Sequence, residues 1–177
     1  MAISQITLLI ARAVGIGGAA WLSGNIAALS LISVPALNAS HAQDSVSLST
    51  ITHAWKHSYE KGKSQNPPVA AVVASSFAYL AWASHRLRAG RSMQLYSVAA
   101  LLTVGIVPYT LLTMSSTNNK LLAKSKKASS DAEITAAFSP AEDKEASDLL
   151  KRWTFLNGIR STLPMLGAVA AALAGLA

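Results

Sequence analysis

Cysteine is absent, and with it every function that needs a thiol: disulfides, thiolate nucleophiles, cysteine-ligated zinc and iron–sulfur clusters are excluded. Charge is scarce as well. Only 13% of the 177 residues are Asp, Glu, Lys or Arg while 51% are hydrophobic, against roughly 25% charged in ordinary soluble domains. That balance excludes a disordered tail and favours a small membrane protein over a soluble one. No glycine-rich loop of the G-x-G-x-x-G kind is present, so a nucleotide cofactor site of that type is not expected. Acidic residues number eight against fifteen basic ones, which places an excess of Lys and Arg in the loops.

What is abundant is long uncharged sequence. Four stretches offer close to the ~20 residues needed to cross a bilayer core. They predict spans near Leu8 to Leu31, Val69 to His85, Gln94 to Ser115 and Phe155 to Leu176. The expected architecture is all-α: one integral-membrane domain over residues 1–177, a four-transmembrane-helix antiparallel bundle with a helical extramembrane loop before the last span. Long loops fall at Val34 to Asn66 and Ser116 to Arg152. A cleaved signal peptide is the rival reading of the N-terminus, but no basic segment precedes the apolar stretch, which is also longer than a usual signal core. Orientation stays open, because Arg86, Arg88 and Arg91 crowd the short turn while the long loops hold ten Lys/Arg.

Small residues let helices approach closely in lipid, so Gly15, Gly17, Gly18 and Gly24 in the first span and Gly167, Ala168, Ala171 and Gly175 in the fourth read as packing positions. Pro108 is expected to disturb the third span. In the third loop Ser130 with Glu133 and Ser139 with Glu142 form S-x-x-E capping boxes, the second with Pro140 at a position helices accept, so two helices should begin there. The second should run into the fourth span as one rod. The cluster Lys120, Lys124, Lys126 and Lys127 is placed to touch anionic headgroups. Nucleic acid is not an expected partner, because no binding module accompanies the charge.

Polar residues in an apolar chain need a reason. Trp153, Asn157 and Arg160 fall at i, i+4 and i+7 of the fourth helix and share one face. An Arg facing lipid is costly, which favours a cavity or a partner, although snorkelling beside an interfacial Trp is the plain alternative. Asn25, Tyr109, Thr110, Thr113, Thr117, Asn118 and Asn119 fall at the same end of the expected bundle. Loop one adds His53, Trp55, His57, Tyr59 and Glu60. The two histidines have chelating spacing but no evident third ligand, so no metal is expected. A histidine near such a pocket is better suited to moving protons, which makes His57 the preferred base ahead of His53, His41 and His85.

The order Trp55-x3-Tyr59-x2-Gly62-x4-Pro67, Pro108-x-Thr110, Thr117-Asn118-x2-Leu121 and Trp153-x3-Asn157-x2-Arg160 resembles a known family. This is the group of four-span membrane proteins long labelled a domain of unknown function (DUF1772), whose characterised fungal members are anthrone oxygenases of aromatic polyketide pathways. The resemblance implies a monooxygenase that converts an anthrone to a quinone with dioxygen, without flavin, haem or metal, in a multi-pass protein of the endomembranes. Its partners would be a small aromatic polyketide, dioxygen and the lipid bilayer.

Such chemistry needs a flat apolar site, a base and donors for developing negative charge. The residues already isolated divide accordingly: His57, Arg160, Asn157 and Tyr59 as catalytic groups, and Trp55, Trp153, Tyr109, Asn118, Asn25 and Thr113 as substrate-binding groups. The competing reading is a non-catalytic binding or scaffold protein of a biosynthetic pathway, docking through the charged helix of the third loop.

Overall fold

The computed structural model describes residues 4–130 and 138–176. Among them all regular structure is helical: α1 (Gln5–Ala28), a first π turn (Leu29–Ser33), α2 (Val34–Asp44), α3 (Leu48–Arg86), α4 (Gly90–Val104), α5 (Ile106–Tyr109), a second π turn (Thr110–Met114), α6 (Ser115–Ser130) and α7 (Pro140–Ala174). Three continuous helical rods, Gln5–Asp44, Leu48–Arg86 and Gly90–Lys127, are long and apolar enough to cross a membrane. α7 does not reach the same apolarity, because Asn157, Arg160, Ser161, Thr162 and Pro164 interrupt its hydrophobic run.

The segments expected as long loops are mostly helix. Only Ser45 to Ser47 interrupts the stretch from Val34 to Asn66. Ser45 takes a left-handed conformation (φ 56°) that ends α2. Two residues on, the Ser47 hydroxyl accepts the Thr50 N–H at 3.2 Å and starts α3. His41 is spent locally, its Nδ1 lying 2.7 Å from the Val46 carbonyl oxygen. α3 then continues through Pro67 and Pro68, both exposed.

The Ser139 capping box is present: the Ser139 N–H donates to Glu142 Oε2 at 3.0 Å, and the Glu142 N–H donates to Ser139 Oγ at 3.4 Å. From Pro140 a single rod of 35 residues runs to Ala174. Glu133, and so the other box, lies outside the described residues. The third span is irregular at Gly105 but not interrupted: the Gly105 N–H bonds to the Leu101 carbonyl and the Tyr109 N–H to the Gly105 carbonyl. A π turn follows Pro108 within two residues, in keeping with the lost N–H of that proline.

The chain divides into two compact units. The first comprises Met1–Asn25, Gln65–Tyr109 and Arg160–Ala177; the second comprises Ile26–Ser64 and Thr110–Ile159. In the first, glycines replace side chains at close approaches: a Cβ on Gly15 would lie 2.6 Å from the Phe77 ring and one on Gly18 2.5 Å from Val73. One on Gly167 would meet the Ala99 carbonyl oxygen at 3.1 Å. Gly17 and Gly24 face open space, so the packing role expected of them does not hold. Polar bonds tie this unit further: buried Ser23 Oγ donates to the Ser161 carbonyl (2.8 Å) and Ser92 Oγ to the Ala174 carbonyl (3.0 Å), and half-buried Asn25 donates from Nδ2 to Asn66 Oδ1 (2.7 Å).

Candidate active site

The second unit gathers an aromatic and amide cluster. On α3 the positions Leu48, Ile51, Thr52 and Trp55 are buried, following the helical period, and Tyr59 continues that face one turn later. The Trp55 and Tyr59 rings stack with centroids 5.1 Å apart and planes 17° from parallel. Trp153 of α7 meets Trp55 edge to face, 5.5 Å between centroids and 86° between planes. Both geometries are favoured by the ring quadrupoles.

Polar groups at the cluster are partly spent and partly spare. Trp153 Nε1 donates to Asn118 Oδ1 at 2.9 Å. Asn157, one turn after Trp153, donates from Nδ2 to the Ile26 carbonyl at 2.9 Å and to Ser30 Oγ at 2.8 Å. Ser30 lies in the first π turn, a feature that recurs at functional sites. Trp55 is wholly buried, yet its Nε1–H has no hydrogen-bond partner. Asn157 Oδ1 is likewise buried and unpartnered. A buried polar atom left unpaired costs about 1–3 kcal/mol, so two of them at one cluster call for an explanation.

Five of the ten expected site residues therefore belong to this cluster: Trp55, Tyr59, Asn118, Trp153 and Asn157. His57 is exposed and sits edge-on to His53 with ring centroids 4.7 Å apart. Two residues from Trp55, it lies about 200° round the helix from the indole. Thr113 is exposed. Asn25, Tyr109 and Arg160 belong to the first unit, where Asn25 bonds to Asn66 and the other two are half-buried. Ser30 and the Ile26 carbonyl carried no sequence signal, since a lone serine in an apolar run is indistinguishable from packing. Among the described residues no group of three or more His, Asp or Glu side chains is placed to hold a metal.

Charge in this unit lies elsewhere. Lys124 pairs with Glu145 at 2.8 Å and Lys127 pairs with Glu142, so two of the four lysines expected at headgroups are bound to α7 carboxylates instead. The Lys127 ammonium, followed by the Ser139 N–H and hydroxyl, lowers the Glu142 carboxyl to about 2. Hydrogen bonding and attraction from Lys124 also lower Glu145.

Comparison with known proteins gives a consistent answer. A family model described as anthrone oxygenase matches residues 55–170. The chain is 41% identical to the anthrone oxygenase encC of Aspergillus fumigatus, over 89% of this chain and 88% of that one. It is 30% identical to the anthrone oxygenase AgnL2 of Paecilomyces divaricatus, over 90% and 91% respectively. The noranthrone monooxygenase of Aspergillus flavus is 28% identical over 84% of this chain and 65% of its own. No solved structure matches.

Proposed function

Because the chain belongs to the anthrone oxygenase family, we propose that it is an oxidoreductase converting an anthrone, or a similar aromatic polyketide, to the quinone with dioxygen. One anthrone and one dioxygen give one quinone and one water. The acidic carbon opposite the ketone loses a proton to form an electron-rich enolate. That anion passes one electron to dioxygen, the two radicals join as a peroxide at the same carbon, and breakage of the O–O bond with loss of the second hydrogen releases water and leaves the new carbonyl.

The protein's share is to bind, orient and deprotonate. Trp55, Tyr59 and Trp153 supply stacking surface for a flat tricycle. The spare Trp55 Nε1–H donates to the ketone oxygen, where negative charge grows as the proton leaves. The spare Asn157 Oδ1 accepts from a substrate hydroxyl. Tyr59 takes the acid–base role in preference to His57, because it stacks on Trp55 while His57 points out from the exposed face. The single observation that supports this reading is the pair of buried, unspent atoms, one donor and one acceptor, in the aromatic unit of a protein from this family.

We also infer four antiparallel spans, the fourth near Phe155 to Leu176, in an endomembrane. Supporting the arrangement, Gly15 and Gly18 face Phe77 and Val73 in reverse order, and Ser92 and Gly167 meet Ala174 and Ala99.

Purified protein given emodin anthrone should consume one dioxygen per quinone, faster than the spontaneous reaction and equally with chelator present. Tyr59→Phe should lower that rate about 10²-fold or more, and His57→Ala should leave it unchanged. A wild-type rate no greater than the spontaneous one would overturn the proposal, and loss of activity in His57→Ala alone would return the base to histidine.

A further inference from the structure

The two units divide the charged residues unequally. The first unit contains Arg12, Arg86, Arg88, Arg91 and Arg160 as its charged side chains, with no lysine, aspartate or glutamate. The other holds all nine lysines, the remaining arginine, and the acidic residues. Its lysines find carboxylates, as in the pairs with Glu142, Glu145 and Glu60. The first unit has no acidic side chain to offer its arginines.

Three of those arginines lie within six residues. Arg86 ends α3, Arg91 is the second residue of α4, and Arg88 is in the connection; all three are exposed. Both rods that meet at this turn are apolar enough to cross a membrane, which puts the arginines at the height where hydrocarbon gives way to headgroups. Exposed Trp82, one turn before Arg86, and Leu87, between Arg86 and Arg88, are 53% and 61% accessible and serve as amphipathic and apolar anchors beside them. Arg12 reaches the same side of this unit: its Nε donates to the Tyr96 hydroxyl at 3.1 Å, six residues into α4 from Gly90.

Arginine where lysine is excluded is informative. The planar guanidinium matches a phosphate diester with two parallel N–H bonds, whereas an ammonium acts as a point charge. We propose that the 86–91 turn is a docking surface for anionic phospholipid headgroups, with Arg86, Arg88 and Arg91 holding the phosphate and headgroup carboxylate of a lipid such as phosphatidylserine. This anchors the first unit in an anionic leaflet and is independent of the oxidation chemistry.

The test uses the full chain in detergent, titrated with phosphatidylserine or phosphatidylcholine and read by native mass spectrometry. Wild type should retain phosphatidylserine preferentially. The R86Q/R88Q/R91Q variant should bind it roughly a hundredfold more weakly, about fivefold per cation, with a smaller loss for phosphatidylcholine, which shares the phosphate diester but lacks the carboxylate and the net charge. A K120Q/K126Q/K144Q variant, with the same change in net charge, should bind like wild type. Undiminished phosphatidylserine binding in the arginine variant, or an equal loss in the lysine variant, would overturn the proposal. So would binding of inorganic phosphate as tight as that of the lipid, which would make the turn a soluble-anion site. If the glutamine variant does not fold, R86K/R88K/R91K decides: it keeps every charge and should still lose affinity severalfold, and unchanged binding would refute the role of the guanidinium forks.

Discussion

Trp55 and Trp153 face each other with opposite hydrogen-bond states, and the same substitution at each should therefore have different consequences. Trp→Phe removes the same atoms from two wholly buried sites, so the costs of lost area and residual cavity are of similar size and largely cancel in the comparison. What differs is the indole N–H. At position 153 it is bonded to Asn118 Oδ1 at 2.9 Å, and its removal strands a buried acceptor at a cost of about 1–3 kcal/mol. At position 55 it has no partner, and removing it relieves a desolvation penalty of about 1–3 kcal/mol.

Trp153→Phe is therefore expected to be less stable than Trp55→Phe by about 2 kcal/mol or more, a gap of about 4–8 °C in Tm for a chain of this size. Activity should run the other way. If Trp55 Nε1 donates to the substrate ketone, Trp55→Phe loses about 10²–10³ in turnover, while folded Trp153→Phe keeps that donor and loses much less. Thermal unfolding in detergent followed by tryptophan fluorescence gives the first quantity, and anthrone consumption per folded protein gives the second. A Trp55→Phe variant that is both the less stable and the more active of the two would refute the reasoning at once, because the spare donor would then be neither a structural cost nor a catalytic gain.

Other substitutions test neighbouring parts. Asn157→Asp keeps the shape but sets a carboxylate against the Ile26 carbonyl and removes both donated bonds, so it should destabilise by about 3 kcal/mol or more, seen as a lower Tm. Gly18→Ala drives a Cβ to 2.5 Å from Val73 and should cost about 1–3 kcal/mol. Gly17→Ala meets nothing within 4 Å and should gain up to about 1 kcal/mol from helix propensity, both read by thermal unfolding. Glu142, held at about 2 against an ordinary 4.5, stabilises the start of α7 fully above pH 4.5 and loses that contribution as pH falls through about 2. Hydrogen exchange at residues 140–146 should accordingly speed up as pH falls from 4.5 to 2, after correction for intrinsic exchange. Glu142→Gln, which caps without titrating, should flatten that dependence.

The cluster was readable in the sequence wherever helical periodicity carried it. Trp55 with Tyr59 and Trp153 with Asn157 are each one turn apart, and each pair shares a face. The same rule puts His57 on the far side of α3 from Trp55, where its ring meets His53. The extent of helix was less legible, because the segments from 48 to 66 and from 116 to 127 are too polar for an apolar scan, and only local caps such as Ser47 and Ser139 mark where helices begin. The π turns had no signature beyond Pro108, since one residue of extra helical winding changes no composition or period that a short window detects.

The first π turn decides which end of the Asn157 amide is left spare. Asn157 could in principle present either end of its amide to a ligand, but its neighbours decide which. The Ile26 carbonyl can only accept, so the atom 2.9 Å from it has to be the amide nitrogen, and a flipped side chain would set two oxygens against each other. Ser30, brought to that nitrogen by the first π turn, takes a second hydrogen at 2.8 Å. Both donors are then spent and the spare atom is the oxygen, an acceptor. Trp55 offers only a donor. If both spare atoms meet the proposed substrate, it must bring a carbonyl for the indole and a hydroxyl for the amide, which fits a hydroxylated aromatic ketone better than a hydrocarbon or a simple phenol.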